Sequence, residues 1–282
     1  MTTLLCLGYG YCAARFVALH GAGHARILGS TRGEGRSADS VELLGTGSPA
    51  FAAALGEADV LLVSAPPDEG GDAFLRDHAE RIAAAGRRGS IVYLSTIGVY
   101  GDSGGLLIDE GAPLAATSPR GRRRIEAEAA WRALGARAGR PVAVLRLGGI
   151  YGPGRNAVQD IRDGDAHCIV REGQFFNRIH VDDIADAIAA AIARGFDGTV
   201  NVVDDEPAAA CAPVRFAAAL LGVPPPPAVP YEIAAASMSP MARSFWADNR
   251  RVSNRRLHDA LGLALRYPTY REGLAALFAA GA

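Results

Sequence analysis

The chain has 282 residues, of which 49% are apolar and 21% charged, and its formal net charge is -1. That length and apolar content support a large core and exclude a disordered chain. The near-zero charge gives no global field toward nucleic acid or an anionic membrane. All 29 basic residues are arginine. Schiff-base, phosphate-loop and other catalytic lysines are therefore excluded. A codon bias toward Arg, Ala and Gly accounts for most of these positions, but it does not restore lysine chemistry.

In chain order, residues 4–7 (LLCL) read as a buried strand. Ala13, Phe16, Val17 and His20 follow helical spacing, and Gly21 stands where a helix stops. Residues 27–28 begin a second strand, and the apolar run 60–63 a third, ending in Ser64, Ala65 and Pro66. The spacing predicts a helix over 75–85, a strand over 91–94, a helix over 125–134 and a strand over 142–145. Fully apolar strands alternating with helices imply an α/β fold, a doubly wound parallel sheet covered on both faces. After Gly152 the rhythm changes, with a mixed segment to Arg178, a helix over 184–192 and a strand over 200–203. The prolines 224–227 form a stiff connector, and helices are predicted over 231–238, 254–261 and 270–278.

Cys6, Cys12, Cys168 and Cys211 have no metal-ligand spacing and read as packed free thiols of a reducing compartment. The start MTTLLCLGYG lacks a basic n-region, and no stretch suits a membrane span. The expectation is a soluble cytoplasmic protein.

The first strand runs into Gly8, Tyr9, Gly10, Tyr11, Cys12 and Ala13, a GxGxxA turn. Gly8 permits the tight turn and Gly10 lets backbone approach a pyrophosphate. Ala13 lets helix pack on strand, and the helix N-terminus attracts the anion. Tyr11 and Cys12, at that helix start, join the expected cofactor contacts, as do Ser64, Ala65 and Pro66 after the third strand. At the end of the second strand, where NAD-binding chains carry a carboxylate, stand Ser30, Thr31 and Arg32, with no acid until Glu34. Hydroxyls and a charged fork suit a 2'-phosphate, so NADP is preferred over NAD. The plain alternative for Arg32 is a solvated loop charge.

These motifs, with others downstream, resemble the extended short-chain dehydrogenase/reductase superfamily of nucleotide-sugar epimerases and dehydratases. Residues 94–101 (LSTIGVYG), 146–154 (RLGGIYGPG) and 178–185 (RIHVDDIA) look like its fifth-strand, sixth-strand and helix-start motifs. Val200, Asn201 and Val202 with Glu206 and Pro207 look like its seventh strand. The resemblance implies a Rossmann domain over 1–151 and 179–204. It also implies a smaller, mostly helical substrate-binding lobe over 152–178 and 205–282, in a monomer or homodimer without nucleic-acid or membrane partners. It makes Thr96 the catalytic hydroxyl. Three departures stand out. Leu7 replaces the usual first glycine, and Gly149 replaces a frequent Asn. In the stretch matching SPYGxxKxxxE, Arg120 takes the tyrosine position and Arg124 the lysine position, as in the atypical branch that lacks this pair.

Arginine stays protonated and relays protons poorly, but it polarises carbonyls and grips carboxylates with two bonds. The resemblance implies that Arg124, at the lysine position, binds the nicotinamide ribose as that lysine does. Arg120, Arg122, Arg123 and Arg124 crowd a helix N-terminus, where the macrodipole disfavours cations. The offset is either pairing such as Arg122 with Glu126 on a solvated face, or an anionic ligand. Arg123 is expected to face water. Tyr100, Tyr151 and His180 are candidate acids by type, with packing as the plainer role and Asp182 as the helix cap beside His180. The segment 245–251 is either a pocket wall or a charged helix start. The leading reading is an NADP-dependent reductase or epimerase-like enzyme for a small polar, anionic, carbonyl or sugar-type substrate. The alternative is a non-catalytic NADP-binding sensor or scaffold.

Overall fold

The computed structural model describes residues 2–33, 35–38, 40–86 and 88–281. Glu34, which figured in the cofactor argument, lies outside them. Eight strands build one central sheet. They are β1 (Thr2–Leu7), β2 (His24–Thr31), β3 (Arg36–Ala38), β4 (Val41–Gly45), β5 (Val60–Val63), β6 (Ile91–Thr96), β7 (Val142–Leu147) and β8 (Gly198–Val202). Their order is β8-β7-β6-β5-β1-β2-β4-β3, with every pair parallel except the edge pair β3–β4.

Continuous apolar runs form these inner strands because both sheet faces are covered. Leu4 and Cys6 of β1 point into one core with Phe16 and Val17 of helix α1 (Tyr11–His20). Leu5 and Leu7 point into the other, with Phe51 of α2 (Pro49–Glu57), Ile82 of α3 (Ala73–Ala84) and Trp131 of α4 (Pro119–Ala138). This is the doubly wound α/β fold. From β1 the chain winds out to β2 and β4, then returns to β5 on the other side of β1. The crevice opens at this reversal, beyond the carboxyl ends of the strands.

Beyond the sheet, α5 (Ala157–Asp163), α6 (Val181–Arg194), α7 (Cys211–Leu221), α8 (Tyr231–Ala234), α9 (Pro240–Ser244), α10 (Arg255–Leu261) and α11 (Tyr270–Ala279) follow. Val158, Ala217, Tyr270, Leu274 and Leu277 give α5, α7 and α11 a small core of their own.

Several expectations need correction. The helix predicted over 231–238 is a single turn, α8, because the Pro240 and Ser239 signals start a new element. Helices α2, α5, α7 and α9 and the pair β3–β4 went unpredicted. Pro213 stands in the first turn of α7, β3 has three residues, and Glu42 breaks the apolar run of β4. Cys168 and Cys211 are not free thiols: they form a disulfide, with Cα atoms 4.6 Å apart. Cys6 and Cys12 remain free. Among the described residues no helix is long and apolar enough to cross a membrane, and no His, Cys, Asp or Glu group is placed to hold a metal.

Candidate active-site cleft

The turn after β1 is set by Gly8, whose φ of +92° suits glycine. A Cβ there would meet the Ala65 backbone nitrogen and Cβ at 2.8 Å. Ser30 Oγ accepts from the Gly8 N–H at 2.7 Å, and the Ser64 hydroxyl donates to the Gly8 carbonyl. The turn is thus clamped between the ends of β2 and β5. Gly10 is the N-cap of α1 without a side-chain cap, and a Cβ on it would meet nothing within 4 Å. The backbone donors of this helix start are therefore left for a ligand. Tyr11 donates to the Pro153 carbonyl at 3.0 Å, bracing the turn against the loop after β7.

These elements line a cleft of about 550 Å³. Gly10, Tyr11, Cys12, Ser64 and Pro66 form one end. Thr96, at the end of β6, and Ser118, Arg120 and Arg124, at the start of α4, form the wall beyond. Phe175, Phe176, Asn177, Phe245, Asp248 and Arg250, all outside the central sheet, close it. Of the sequence-predicted residues, Ala13 and Ala65 lie behind the turn, and Ala13 is buried. Ser30 is also buried, serving the turn and not the cleft. Thr31 Oγ1 accepts from the Gly33 N–H at 3.3 Å, and Arg32 is exposed just past β2.

Thr96 Oγ1 accepts from the Gly98 N–H at 3.1 Å, which leaves its hydroxyl hydrogen to donate. Beneath it lies a closed polar network. Ser95 donates to Glu128 at 2.5 Å, Glu128 holds Arg146 at 2.7 Å, and Arg146 donates to Tyr100, which donates to Asn201. Tyr100 is thereby a structural residue. So is Tyr151, packed against Gly273; burial raises the pKa of both phenols.

His180, and not Asp182, caps α6: its Nδ1 accepts from the Asp182 N–H at 3.1 Å. Burial lowers its pKa to about 4, against the pull of Asp182, so it is a neutral cap. Asp182 is freed to pair with Arg15 of α1 at 2.5 Å.

The arginine row at the start of α4 divides. Arg124 donates to the Leu94 carbonyl at 2.6 Å and to the Tyr93 hydroxyl at 3.2 Å, so it is partly committed to strand β6. Arg122 donates to the Thr117 carbonyl at 2.6 Å, in place of the expected Glu126. Arg123 is half-buried, not water-facing. Arg120 is exposed, its guanidinium 5.2 Å from the centre of the Phe245 ring. Asn177, Phe175, Phe176 and Arg155 were not anticipated, although Arg155 directly follows the GPG turn and sits near Tyr11 and Cys12. Of the segment 245–251, Phe245, Asp248 and Arg250 line the cleft.

A family model described as the NAD dependent epimerase/dehydratase family matches residues 77–203. The chain is 32% identical over 206 residues to a 3-diazoavenalumate denitrifying reductase from Streptomyces sp, covering 69% of this chain and 66% of that protein. It thus spans just under two thirds of that relative. Among solved structures it is similar to a functionally unknown conserved protein from Silicibacter pomeroyi DSS, with 41% identity, TM-score 0.88, and 100% and 99% of the two chains covered. The human epimerase family protein SDR39U1 (isoform2) with NADPH shares the fold at 19% identity and TM-score 0.76, over 98% and 99% of the chains.

Proposed function

The chain belongs to the NAD-dependent epimerase/dehydratase family, and from that premise we propose that it is an NADP-dependent reductase. The observation that carries this reading is the single cleft joining an open glycine turn to a wall of Thr96 and Arg120 that lacks phenol and ammonium. The turn fits a dinucleotide: Gly8 is backed by Ala65 so closely that a Cβ has no room, and Gly10 leaves backbone donors uncovered. Gly8, Gly10, Tyr11, Cys12, Ser64 and Pro66 would hold the pyrophosphate, joined by Arg155, with Ala13 and Ala65 backing the turn from behind. Thr31 and Arg32 would meet the 2'-phosphate, with Ser30 supporting the turn. When bound, the nicotinamide supplies the hydride.

Thr96 donates its free hydroxyl hydrogen to the substrate, Arg120 orients its polar end, and Arg124 would hold the nicotinamide ribose. Epimerisation through a transient ketone needs a base to take a hydroxyl proton. Reduction needs at most one proton, which water delivers. Of the remaining lining groups that could lose a proton, Tyr11 is bonded to Pro153, burial pushes the free Cys12 thiol up to about 11, and Asp248 is held by Arg250 at 3.1 Å. The cleft therefore suits reduction better than epimerisation. The relative named as a reductase supports the same direction.

The test measures NADPH and NADH affinity, then cofactor oxidation across a panel of carbonyl and other electrophilic acceptors. Tighter NADPH binding with turnover is expected. Binding without any turnover removes the enzyme reading and leaves the sensor. Arg32→Ala is expected to weaken NADPH about tenfold (roughly 1.4 kcal/mol) and NADH little. Equal weakening removes the cofactor preference.

A further inference from the structure

The arginines around the cleft differ in what already occupies their donors. Arg124 is bonded to Leu94 and Tyr93. Arg250 is bonded to Asp248 and the Gly101 carbonyl, and Arg171 donates to the Trp246 carbonyl at 2.8 Å. Arg155 sits by the glycine turn, at the other end. Arg120 is left at the substrate end: among the described residues its guanidinium meets the face of Phe245, and no oxygen accepts from it. A guanidinium lying over a ring keeps its in-plane fork for an anion.

Phe245 is 54% exposed, while its neighbour Trp246 is buried. An exposed ring in a cleft that also holds Phe175 and Phe176 offers a platform for a flat ligand. Asp248, the one acid among the residues lining the cleft, is paired with Arg250 and so does not repel a second carboxylate. One free fork matches one carboxylate. A diphosphate would need donors that Arg124 and Arg250 have already given to the chain.

We propose that the substrate is a planar aromatic carboxylate, its carboxylate gripped by Arg120 and its ring lying against Phe245. This rests on the reading of the cleft as the reaction site, and it narrows the substrate to a class.

The test is calorimetric titration of the full chain, with and without NADP, using trans-cinnamate and its neutral amide. The acid is expected to bind at least tenfold tighter than the amide. Arg120→Ala should remove that preference and leave NADP affinity within twofold. Arg120→Lys should recover it in part, since a point charge replaces the fork. Phe245→Ala should weaken acid and amide alike. Circular dichroism checks that each variant is folded. Equal binding of acid and amide, binding of neither, or a preference surviving Arg120→Ala overturns the proposal. So does an equal loss of NADP in Arg120→Ala, which would place the residue in the cofactor site. An acid preference in a chain that binds no dinucleotide sustains the substrate class and removes the cofactor reading instead.

Discussion

Gly8 is the residue on which the cofactor end of the cleft turns. Its positive φ and the 2.8 Å approach to Ala65 leave no room for a side chain. Gly8→Ala is expected to weaken dinucleotide binding at least tenfold while the chain stays folded; an unchanged affinity would remove the turn from the site. This residue was legible in the sequence because glycine spacing reports a backbone need directly. Arg120 was legible as a departure from the family pattern, but its state was not. Whether an arginine is free or committed depends on distant oxygens. Leu94 O takes Arg124, whereas Phe245 O takes nothing from Arg120 and only its ring is nearby. Ser30 shows the same limit. Its place at the end of β2 suggested a phosphate donor, yet it turned inward to hold Gly8. Arg155 was missed because one arginine after a GPG turn carries no periodic signal.

At the scale of elements, α4 and β6 act together. Helix α4 begins with Pro119 after the Ser118 cap, whose Oγ accepts from Gly121 at 3.0 Å, and this start sets Arg120 and Arg124 one turn apart beside Thr96. Further along, Glu128 ties the helix to Ser95 and Arg146, and both members of the Glu128–Arg146 pair are buried. Glu128→Gln leaves Arg146 a buried charge without its counter-ion. A loss of about 3 kcal/mol is expected, read as a lowered urea midpoint; a midpoint unchanged would mean the pair is not structural. The long apolar strands were predictable from their two covered faces. The edge strand β3, of three residues, and β4, whose apolar run is broken by Glu42, were less so. Helix α4 was expected from 125, because its first turn is polar and only its capping signals mark the true start.

For the whole molecule, the alternation of strands and helices carried the fold, since a doubly wound sheet imposes its rhythm along the entire sequence. The small lobe did not carry such a rhythm, and its helices are stitched by contacts far apart in the chain. Stability at this scale has a pH signature. Burial raises Asp204 from 3.8 to about 8, against the pull of Arg178, and Asp183 to about 7. Between these values the folded chain keeps protons that the unfolded chain has released. Stability therefore falls as pH rises from about 4 to about 8, by up to roughly 1.4 kcal/mol per pH unit for each group. His180, lowered to about 4, acts in the opposite sense below about 6.5. Asp204→Asn should flatten the decline between pH 6.5 and 8 in urea midpoints; an identical slope would exonerate Asp204. The Cys168–Cys211 bond spans 43 residues, and that interval contains the whole of α6 and β8. The chain is therefore a covalent ring with two tails, and the ring passes through both the sheet and the small lobe. A protease cutting one peptide bond inside that ring would leave a single molecule of unchanged mass apart from one added water. The cut would show only after a reductant opened the ring.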